Sequence, residues 1–402
     1  MRGYIKGIKN RIIRFIIEIS KKVKPVKRDV PATTSRFLIV STTGIGDTLW
    51  GTPAIRALKE TYPHCFIGVL TTYLGAQILK GNPYIDKIFI FKRGLRVSLW
   101  KLMRDLRRER FNTAFIFHAS DRIIWPLVFF TGVSDIIGIT GQNKGLDFVL
   151  TKAITQEKIH AVEMRLRLVK EVGASCNNTS PALYLSEEDK SASELLKRAG
   201  LNKGSRIQWS EDSRGKKIKT EPLDSSNHRT LIIGLHPGAQ KPFKCWPAER
   251  FIETGKRLVG EINCSIIITG SEEERDLCEY IASRIEGAIS IAGETTLIGL
   301  ASVFKRIDLF ITNDTGPMHM ANAVGTPLIA LFCPTDPKLC GPYNIEKTVI
   351  IKKPIICDPC EGKNCQRPVC MEQITVEEVI TSAKKLIERS EIYSNSNVNE
   401  DT

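Results

Sequence analysis

Residues 309–337, LFITNDTGPMHMANAVGTPLIALFCPTDP, combine two short apolar runs with a helical segment and two polar loops. The runs 309–312 and 328–332 have the length and composition of strands that are buried on both faces of a parallel sheet. Between them, residues 316–324 have the pattern of a short helix. The order strand, helix, strand predicts a right-handed crossover, with the loops after both strands at one edge of the sheet.

The same alternation continues over most of the 402 residues, in two series. The first predicts strands at 37–41, 66–71, 86–91, 113–117 and 135–139, with a helix across 49–60. The second predicts strands at 231–235, 265–269, 288–291, 309–312 and 328–332, separated by helices. Repeated units of this kind predict the α/β class, with two Rossmann-like domains and a ligand cleft between their strand ends.

Changes in composition predict the domain boundaries. We expect a basic amphipathic arm at 1–30, a first domain at 31–202, a polar linker or insertion at 203–229, a second domain at 230–375, a C-terminal helix at 376–390 and a disordered tail at 391–402.

The net charge of +14 is concentrated in the arm, which carries ten Lys/Arg against Glu18 and Asp29. Its apolar residues recur at helical spacing: Ile5, Ile8, Ile12, Phe15, Ile16 and Ile19. A basic amphipathic helix suits an anionic membrane surface. A solvated tail and a helix docked on its own domain are the alternatives. Because more than half of the excess charge lies in this one terminal arm, we expect no nucleic-acid partner.

No apolar run approaches the length of about 18 residues that a membrane span needs. The best candidate, residues 123–134, is short and contains Pro126. The N-terminal segment interleaves charged and apolar residues and lacks a small-residue cleavage site. We therefore expect no signal peptide and a cytoplasmic protein.

The loop after the first predicted strand contains a glycine-rich turn followed by an acid. Thr43, Gly44 and Gly46 lead into Asp47 and then into a helix. The glycines allow a tight turn and a close approach of the backbone to a ligand, but the third glycine of a dinucleotide-binding fingerprint is absent. Asp47 is placed either to cap the helix or to act as a general base, and the residues alone leave both open.

Two loops of the second series carry charged residues suited to a nucleotide. Lys244 precedes a predicted helix start, where a phosphate is well placed, although most loop lysines are simply solvated. Glu273 and Glu274 follow another strand, where an acid commonly reaches a ribose hydroxyl pair. The helix dipole also favours glutamates at such a position.

Residues 312–319, TNDTGPMH, are the most specific passage. Asp314, Thr315 and Gly316 offer a cap, a hydroxyl donor and a glycine N–H that can approach an anion closely, and His319 follows in the helix. With the helix dipole, this loop predicts a diphosphate site that needs no metal.

Together these segments resemble glycosyltransferase family 9, the ADP-heptose:lipopolysaccharide heptosyltransferases. The motifs are GIGDTLWGTPAIRALKETYP at 44–63, HPGAQKPFKCWPAERF at 236–251, ITGSEEER at 268–275, TNDTGPMHMANAVGTPLIALFCPTDP at 312–337 and a Cys-rich stretch before a helix. They occur in the family's order and cover roughly residues 36–385.

The resemblance implies the GT-B architecture, with the acceptor site in the first domain and the nucleotide sugar in the second. It implies inversion at the anomeric carbon without a catalytic cofactor or metal. It also implies ADP-heptose as donor and a lipid-anchored glycan as acceptor, in lipopolysaccharide core assembly at the inner face of the inner membrane.

The resemblance also assigns roles to residues. Asp47 resembles the family's general base, and Thr43, Gly44 and Gly46 form the turn on the acceptor side. In the second domain, Lys244 matches the pyrophosphate-binding lysine. Thr315 and Gly316 match the phosphate-contacting turn, and Asp314 and His319 belong to the same motif. The ribose-binding acid falls at Glu274 or Glu273.

The Cys-rich stretch contains Cys357, Cys360, Cys365 and Cys370 at spacings that suit a tetrahedral structural zinc site. Reduced thiols and a disulfide are the alternatives. Nothing in the expected chemistry requires this metal.

Two other interpretations of the whole chain remain. A related GT-B enzyme would use another sugar nucleotide or acceptor, or would be an epimerase, which needs acid–base groups for the sugar itself and no lipid acceptor. A non-catalytic binder of nucleotide or nucleic acid would leave the loops at 47, 244 and 314–319 without a purpose.

Overall fold

A computed structural model describes residues 35–92, 96–185, 194–196, 208–211, 217–220, 230–357, 360 and 365–398, together with Arg11, Arg14, Phe15, Ile17 and Glu18. The chain divides into two compact units, Met1–Tyr184 and Leu185–Thr402. The division lies before the expected boundary at 202. Tyr184, the last residue of the first unit, contacts Tyr84 of that unit through its ring.

Among the described residues from 35 to 184, the first unit has a six-stranded sheet and six α-helices. Its strands are β1 (Arg36–Ser41), β2 (Phe66–Thr71), β3 (Lys87–Ile90), β4 (Thr113–His118), β5 (Asp135–Ile139) and β6 (Lys152–Ile154). Its helices are α1 (Ile45–Leu49), α2 (Thr52–Thr61), α3 (Tyr73–Leu79), α4 (Arg96–Arg108), α5 (Ile124–Phe130) and α6 (Ala161–Lys170). The strands are parallel, in the order β3-β2-β1-β4-β5-β6.

The second unit repeats this topology. Its sheet strands are β9 (Leu231–His236), β10 (Cys264–Ile268), β11 (Ile289–Ser290), β12 (Leu309–Asn313), β13 (Leu328–Phe332) and β14 (Thr348–Lys352). Its helices are α7 (Ala248–Ile262), α8 (Arg275–Ala282), α9 (Leu297–Phe304), α10 (Gly316–Ala323), α11 (Pro337–Cys340), α12 (Val369–Glu372) and α13 (Val376–Val398). The parallel order is β11-β10-β9-β12-β13-β14.

Burial explains why the apolar runs form central strands. Every residue of β10, β12 and β13 is buried, as a strand covered by helices on both faces must be. In each unit the strand order reverses at the middle of the sheet, beside β1 and β9, and ligands of open α/β folds bind outside the strand ends at that point. The α/β class and the two Rossmann-like domains are confirmed. The cleft between them stays a prediction.

The helix expected across 49–60 is wrong as a single element, because α1 ends at Leu49 and α2 begins at Thr52. Gly51 lies between them, against a ring of the sheet. A Cβ atom on Gly51 would lie 2.9 Å from Phe117 Cδ2, so the chain can pass here only without a side chain.

One expectation about an irregular segment needs correction, and another gains detail. The segment 203–229, expected to be a polar linker or insertion, contains an antiparallel hairpin of β7 (Gln208–Glu211) and β8 (Lys217–Thr220), which an insertion allows. The predicted C-terminal helix 376–390 continues to Val398, into the segment 391–402 expected to be disordered. No proline or glycine interrupts residues 376–398, so the backbone can remain helical.

The N-terminal arm is described at only a few positions. Ile17 is fully buried and packs in the same hydrophobic cluster as Leu102 and Leu106 of α4. Phe15 is 64% exposed. The arm therefore docks on its own unit at Ile17 and presents Phe15 outward. Of the apolar residues expected to contact a membrane, the others lie outside the described residues.

Among the residues that the structure describes, no helix has both the length and the apolar character needed to cross a membrane.

Two glycines of α7 provide a test of the packing. A Cβ atom on Gly255 would lie 2.4 Å from Cδ1 and 3.1 Å from Cγ1 of buried Ile285, whereas a Cβ on Gly260 meets nothing within 4 Å. We expect Gly255→Val to lower the free energy of unfolding by about 1–3 kcal/mol through overpacking. Gly260→Val is the matched control and leaves the denaturation midpoint nearly unchanged. Equal midpoints for both variants would contradict the packing described.

Candidate active site

In the first unit, Asp47 lies within the first turn of α1, directly after β1. The residue at the helix N-cap is Gly44, and no side chain caps this end. The alternative that Asp47 caps the helix is therefore wrong. Its carboxylate is directed instead to a residue 118 positions along the chain.

That residue is Arg165 of α6, which is 5% exposed. One terminal nitrogen of its guanidinium donates to Asp47 Oδ1 at 2.8 Å, and the other donates to the carbonyl oxygen of Ala161 at 2.8 Å. The guanidinium carbon lies 5.4 Å from the ring centroid of Trp50. Burial lowers the pKa of the Arg165 guanidinium, and Asp47 opposes this shift by its charge and its hydrogen bond. The ion pair thus fixes one carboxylate oxygen of Asp47 at the edge of the sheet.

Polar groups from two adjacent strand ends lie in the same region. The backbone N–H of Thr42, after β1, donates to the carbonyl oxygen of His118 at the end of β4. Burial lowers the pKa of the His118 imidazole, with the charge of Asp47 opposing the shift, so the ring is neutral near pH 7. Within the described part of the chain, Thr43 Oγ1 and His118 Nδ1 are buried and have no hydrogen-bond partner. Such atoms can accept or donate to a bound hydroxyl.

In the second unit, Asp314 is the centre of a polar cluster after β12. Its side chain is 7% exposed, and its Oδ2 atom accepts hydrogen bonds from Lys244 Nζ at 2.5 Å and from Thr335 Oγ1. Lys244 ends a short 3₁₀ turn after β9, and Thr335 follows β13. Asp314 therefore joins the loops at three adjacent strand ends.

Asn313, the last residue of β12, ties the same loops together through its amide. Its Oδ1 atom accepts from the backbone N–H of Trp246 at 3.1 Å, and its Nδ2 atom donates to the carbonyl oxygen of Pro237 at 2.8 Å. The side chain is fully buried, so these bonds are needed to compensate for its desolvation.

The start of α10 has the geometry of an anion site. Thr315 is the N-cap in an extended conformation, no side chain caps this helix end, and Gly316 and Pro317 occupy the first turn. The N–H groups of a first turn have no partner within the helix and carry the positive end of its dipole. His319, on the same helix, is buried. The loop therefore places the predicted Thr315 and Gly316 beside the Asp314–Lys244 pair.

The three consecutive glutamates after β10 have different environments. Glu272 pairs with Arg275, while Glu274 forms a capping box with Ser271, whose N–H donates to Glu274 Oε2 at 2.8 Å.

The carboxylate of Glu274 also lies against the loop after β9, since a Cβ atom on Gly238 would lie 2.0 Å from Glu274 Oε1. Burial lowers the pKa of His236, and Glu274 opposes that shift. Glu274, rather than Glu273, is the acid next to the neighbouring strand end.

The predicted four-cysteine zinc site is wrong in its fourth ligand. Cys370 is joined by a disulfide to Cys333, which follows β13, and a bonded thiol cannot ligate zinc as a thiolate. Cys357, Cys360 and Cys365 are free thiols that line a cavity of about 360 Å³. In the ranges the structure describes, no three His, Cys, Asp or Glu side chains come together as metal ligands.

The sequence pattern missed three residues of these clusters. Asn313 and Thr335 lie inside the quoted 309–337 segment, and their polar side chains directly after strands were a usable signal. Arg165 had no such signal, because it lies on a helix with an ordinary amphipathic pattern, and its partner is remote in sequence.

Comparisons with known proteins identify the family of the chain. The model of glycosyltransferase family 9 (heptosyltransferase) matches residues 99–370. Lipooligosaccharide heptosyltransferase 2 of Haemophilus influenzae is 25% identical over 334 residues, which is 78% of this chain and 88% of that protein.

Two solved structures share the fold. The structure of ADP-heptose lps heptosyltransferase II of E. coli superposes with a TM-score of 0.69 at 20% identity, covering 89% of this chain and 99% of that one. The family 9 glycosyl transferase of Veillonella parvula gives a TM-score of 0.72 at 21% identity, covering 88% and 98%. The chain therefore belongs to glycosyltransferase family 9 and is a glycosyltransferase of the GT-B-like α/β class.

Proposed function

We propose that the protein transfers heptose from ADP-heptose to an inner-core glycan of lipopolysaccharide, with inversion at the anomeric carbon and without a metal. The observation that carries the proposal is the cluster of Lys244, Asp314 and Thr335 beside the uncapped start of α10. A relative also supports the proposal, because the similar protein of Haemophilus influenzae is named a lipooligosaccharide heptosyltransferase.

The donor diphosphate would be bound by the second unit. A lysine ammonium has three N–H donors, and Lys244 uses one of them on Asp314, so the others can reach phosphate oxygens. The N–H groups of the N-cap Thr315 and of Gly316 would add hydrogen bonds and the positive end of the α10 dipole. Asp314 would act as a positioning residue for Lys244. Glu274 would accept hydrogen bonds from the ribose hydroxyls.

Asp47 would be the general base. The acceptor hydroxyl oxygen attacks the anomeric carbon, its proton passes to the Asp47 carboxylate, and the bond between that carbon and the diphosphate oxygen breaks to release ADP. Because Arg165 engages Oδ1, the Oδ2 atom is the one available for the proton. A base at the nucleophile and fixed positive charge at the leaving group are what this displacement needs.

We also propose that the reaction needs no metal ion. Lys244 and the start of α10 supply positive charge where a divalent ion would otherwise stabilise the departing diphosphate. Structural zinc is not part of the proposal.

We further propose that the enzyme works at the cytoplasmic face of the inner membrane on a lipid-anchored acceptor. The basic arm 1–30 supports this placement, because cationic side chains are attracted to anionic headgroups. The outward position of Phe15 beside exposed Arg11 adds an apolar contact.

The proposed function is tested by measuring donor binding and sugar transfer in wild type and in the Asp47→Asn variant. We expect ADP-heptose to raise the melting temperature of wild type and of Asp47→Asn equally, and more than UDP- or GDP-sugars do, because the donor contacts lie in the second unit. Asp47→Asn should lower kcat by about 10²–10⁴-fold, since general-base catalysis is lost. Transfer to an inner-core acceptor is measured in the presence of EDTA, and the anomeric configuration of the product is read by NMR. Stabilisation by UDP-sugars alone, or unchanged turnover in the variant, would refute the proposal.

Arg165 should act on turnover through Asp47. We expect Arg165→Met to lower kcat by roughly 10–100-fold, because a misplaced base transfers its proton poorly. The KM for the donor should stay within error, and Arg165→Lys should recover part of the rate by restoring the charge. Arg167→Met, on the same helix and paired with Glu157, is the matched control. A purely structural role for Arg165 would lower stability and leave kcat of the folded protein unchanged.

The Lys244–Asp314 pair should govern donor binding. Lys244→Ala should weaken ADP binding strongly, because the ammonium that would contact the phosphates is lost. It should also lower the free energy of unfolding, because removing one partner of a buried ion pair costs about 3–5 kcal/mol. Asp314→Asn should weaken ADP binding less, because the ammonium remains but is no longer oriented by a charge. Lys241→Ala removes an exposed lysine of the same loop and should bind ADP as wild type does in calorimetry. Equal ADP affinities for the two lysine variants would exclude this role for Lys244.

A further inference from the structure

The first unit exposes large apolar side chains at one edge of its sheet. Among the described residues 35–184, five such side chains are exposed: Tyr73, Leu74, Ile90, Trp100 and Ile123. Each lies where a strand ends or near where the following helix begins: the start of α3, the end of β3, the early part of α4 and the residue before α5. These are the carboxyl ends of parallel strands, and Asp47 follows the carboxyl end of β1.

Scattered exposed apolar residues are normal on a protein surface. Here all five lie at or after the carboxyl ends of β2, β3 or β4, and exposed apolar side chains along one edge of a sheet are suited to contact with a partner. We call these five residues the apolar rim. Trp100 is its most exposed member, at 71%.

The charges next to Trp100 indicate the kind of partner. On α4, the side chains described as exposed from Leu99 to Arg108 are Trp100, Lys101, Arg104, Arg107 and Arg108. The positions 100, 104 and 107 follow the spacing of one helix face. An aromatic side chain within a basic helix face is typical of segments that lie at an anionic lipid interface.

A sugar-stacking surface would not require this arrangement. The basic face extends over eight residues beyond Trp100, or roughly 12 Å along the helix, whereas stacking on a glycan needs only the aromatic ring. The N-terminal arm packs on the same unit, since Ile17 lies in one hydrophobic cluster with Leu102 and Leu106 of α4 and the Arg14 guanidinium lies over the Phe148 ring, while Phe15 is exposed.

We propose that the apolar rim and the basic face of α4 form the surface by which the enzyme rests on an anionic phospholipid bilayer. This inference rests on the proposed function, because a lipid-anchored acceptor would then be presented at the sheet edge that carries Asp47. The rim inserts apolar side chains at the headgroup level, and Lys101, Arg104 and Arg107 contact anionic headgroups.

The test uses the full-length chain and sedimentation with vesicles of phosphatidylcholine, with or without phosphatidylglycerol. Wild type should bind only the anionic vesicles, and less at high salt. Trp100→Ala combined with Arg104→Glu should weaken binding at least about tenfold, since stable anchoring requires both an apolar and a charge contribution. The matched control is Tyr280→Ala with Arg284→Glu, another exposed aromatic–arginine pair at the same spacing, at the C-terminal end of α8, which should bind as wild type does.

A second measurement locates the contact. Bilayers of brominated phospholipid should quench the fluorescence of a Trp209→Phe protein, and adding Trp100→Phe should leave binding unchanged but remove most of that quenching, because Trp125 and Trp246 are buried and Trp50 is only partly exposed. Quenching that persists in the double variant would overturn the proposal, as would failure of the wild-type protein to bind anionic vesicles.

Activity separates this inference from the proposed function. The Trp100/Arg104 double variant should transfer sugar to a deacylated, soluble acceptor at the wild-type rate and lose rate only on acceptor embedded in vesicles. Loss on the soluble acceptor would mean that the rim binds the glycan, and the lipid assignment would fail. Absence of heptose transfer by wild type, with rim-dependent vesicle binding intact, would refute the reaction and leave the lipid surface standing.

Discussion

A carboxylate removed from water must be compensated by partners, and Asp314 is the residue on which this requirement acts most strongly. It is 7% exposed, and it accepts hydrogen bonds from Lys244 and Thr335, which follow two other strands. Losing either donor would leave part of a buried charge unsatisfied, at a cost that exceeds the gain from an ordinary hydrogen bond. The three loops are therefore held in one arrangement before any ligand binds, and the buried amide of Asn313 reinforces it.

This arrangement determines where the ammonium of Lys244 lies. A lysine on a surface loop samples many rotamers, and ordering it on binding would reduce affinity. Here the hydrogen bond to Asp314 orders the Lys244 side chain in the folded protein, so its positive charge lies beside the start of α10 before a ligand binds. The site thus has the preorganised character that electrostatic stabilisation of a leaving group requires.

The first unit also contains an ion pair with one buried member, but here the buried residue is the cation. Its buried member is a cation, Arg165, and the more exposed partner is the carboxylate of Asp47. In each unit, the buried member holds the exposed one at the carboxyl edge of the sheet. The exposed member is the one assigned to the chemistry: the base in the first unit and the phosphate ligand in the second. The apolar rim lies along the same edge as Asp47, which joins the acceptor side of the reaction to a lipid surface.

The amino-acid sequence alone determined the fold class and most of the strands, because buried parallel strands are short apolar runs and glycine or proline marks their ends. It also determined which polar residues lie between a strand and the body of the following helix, such as Asp47, Lys244 and Asp314. It could not determine which residues these contact, since a pairing across 118 or 70 positions leaves no local pattern.

Other features were decided by packing. The requirement for glycine at position 51, between α1 and α2, comes from packing, because Phe117 occupies the space that a side chain would need. Cysteine spacing predicted a metal site, but Cys370 is bonded to Cys333, 37 positions away. The choice of Glu274 over Glu273 depended on the contact with Gly238, in a different loop. Local composition sets which elements form, whereas the contacts between elements decide which side chains meet, because those contacts join residues that are close only in the folded chain.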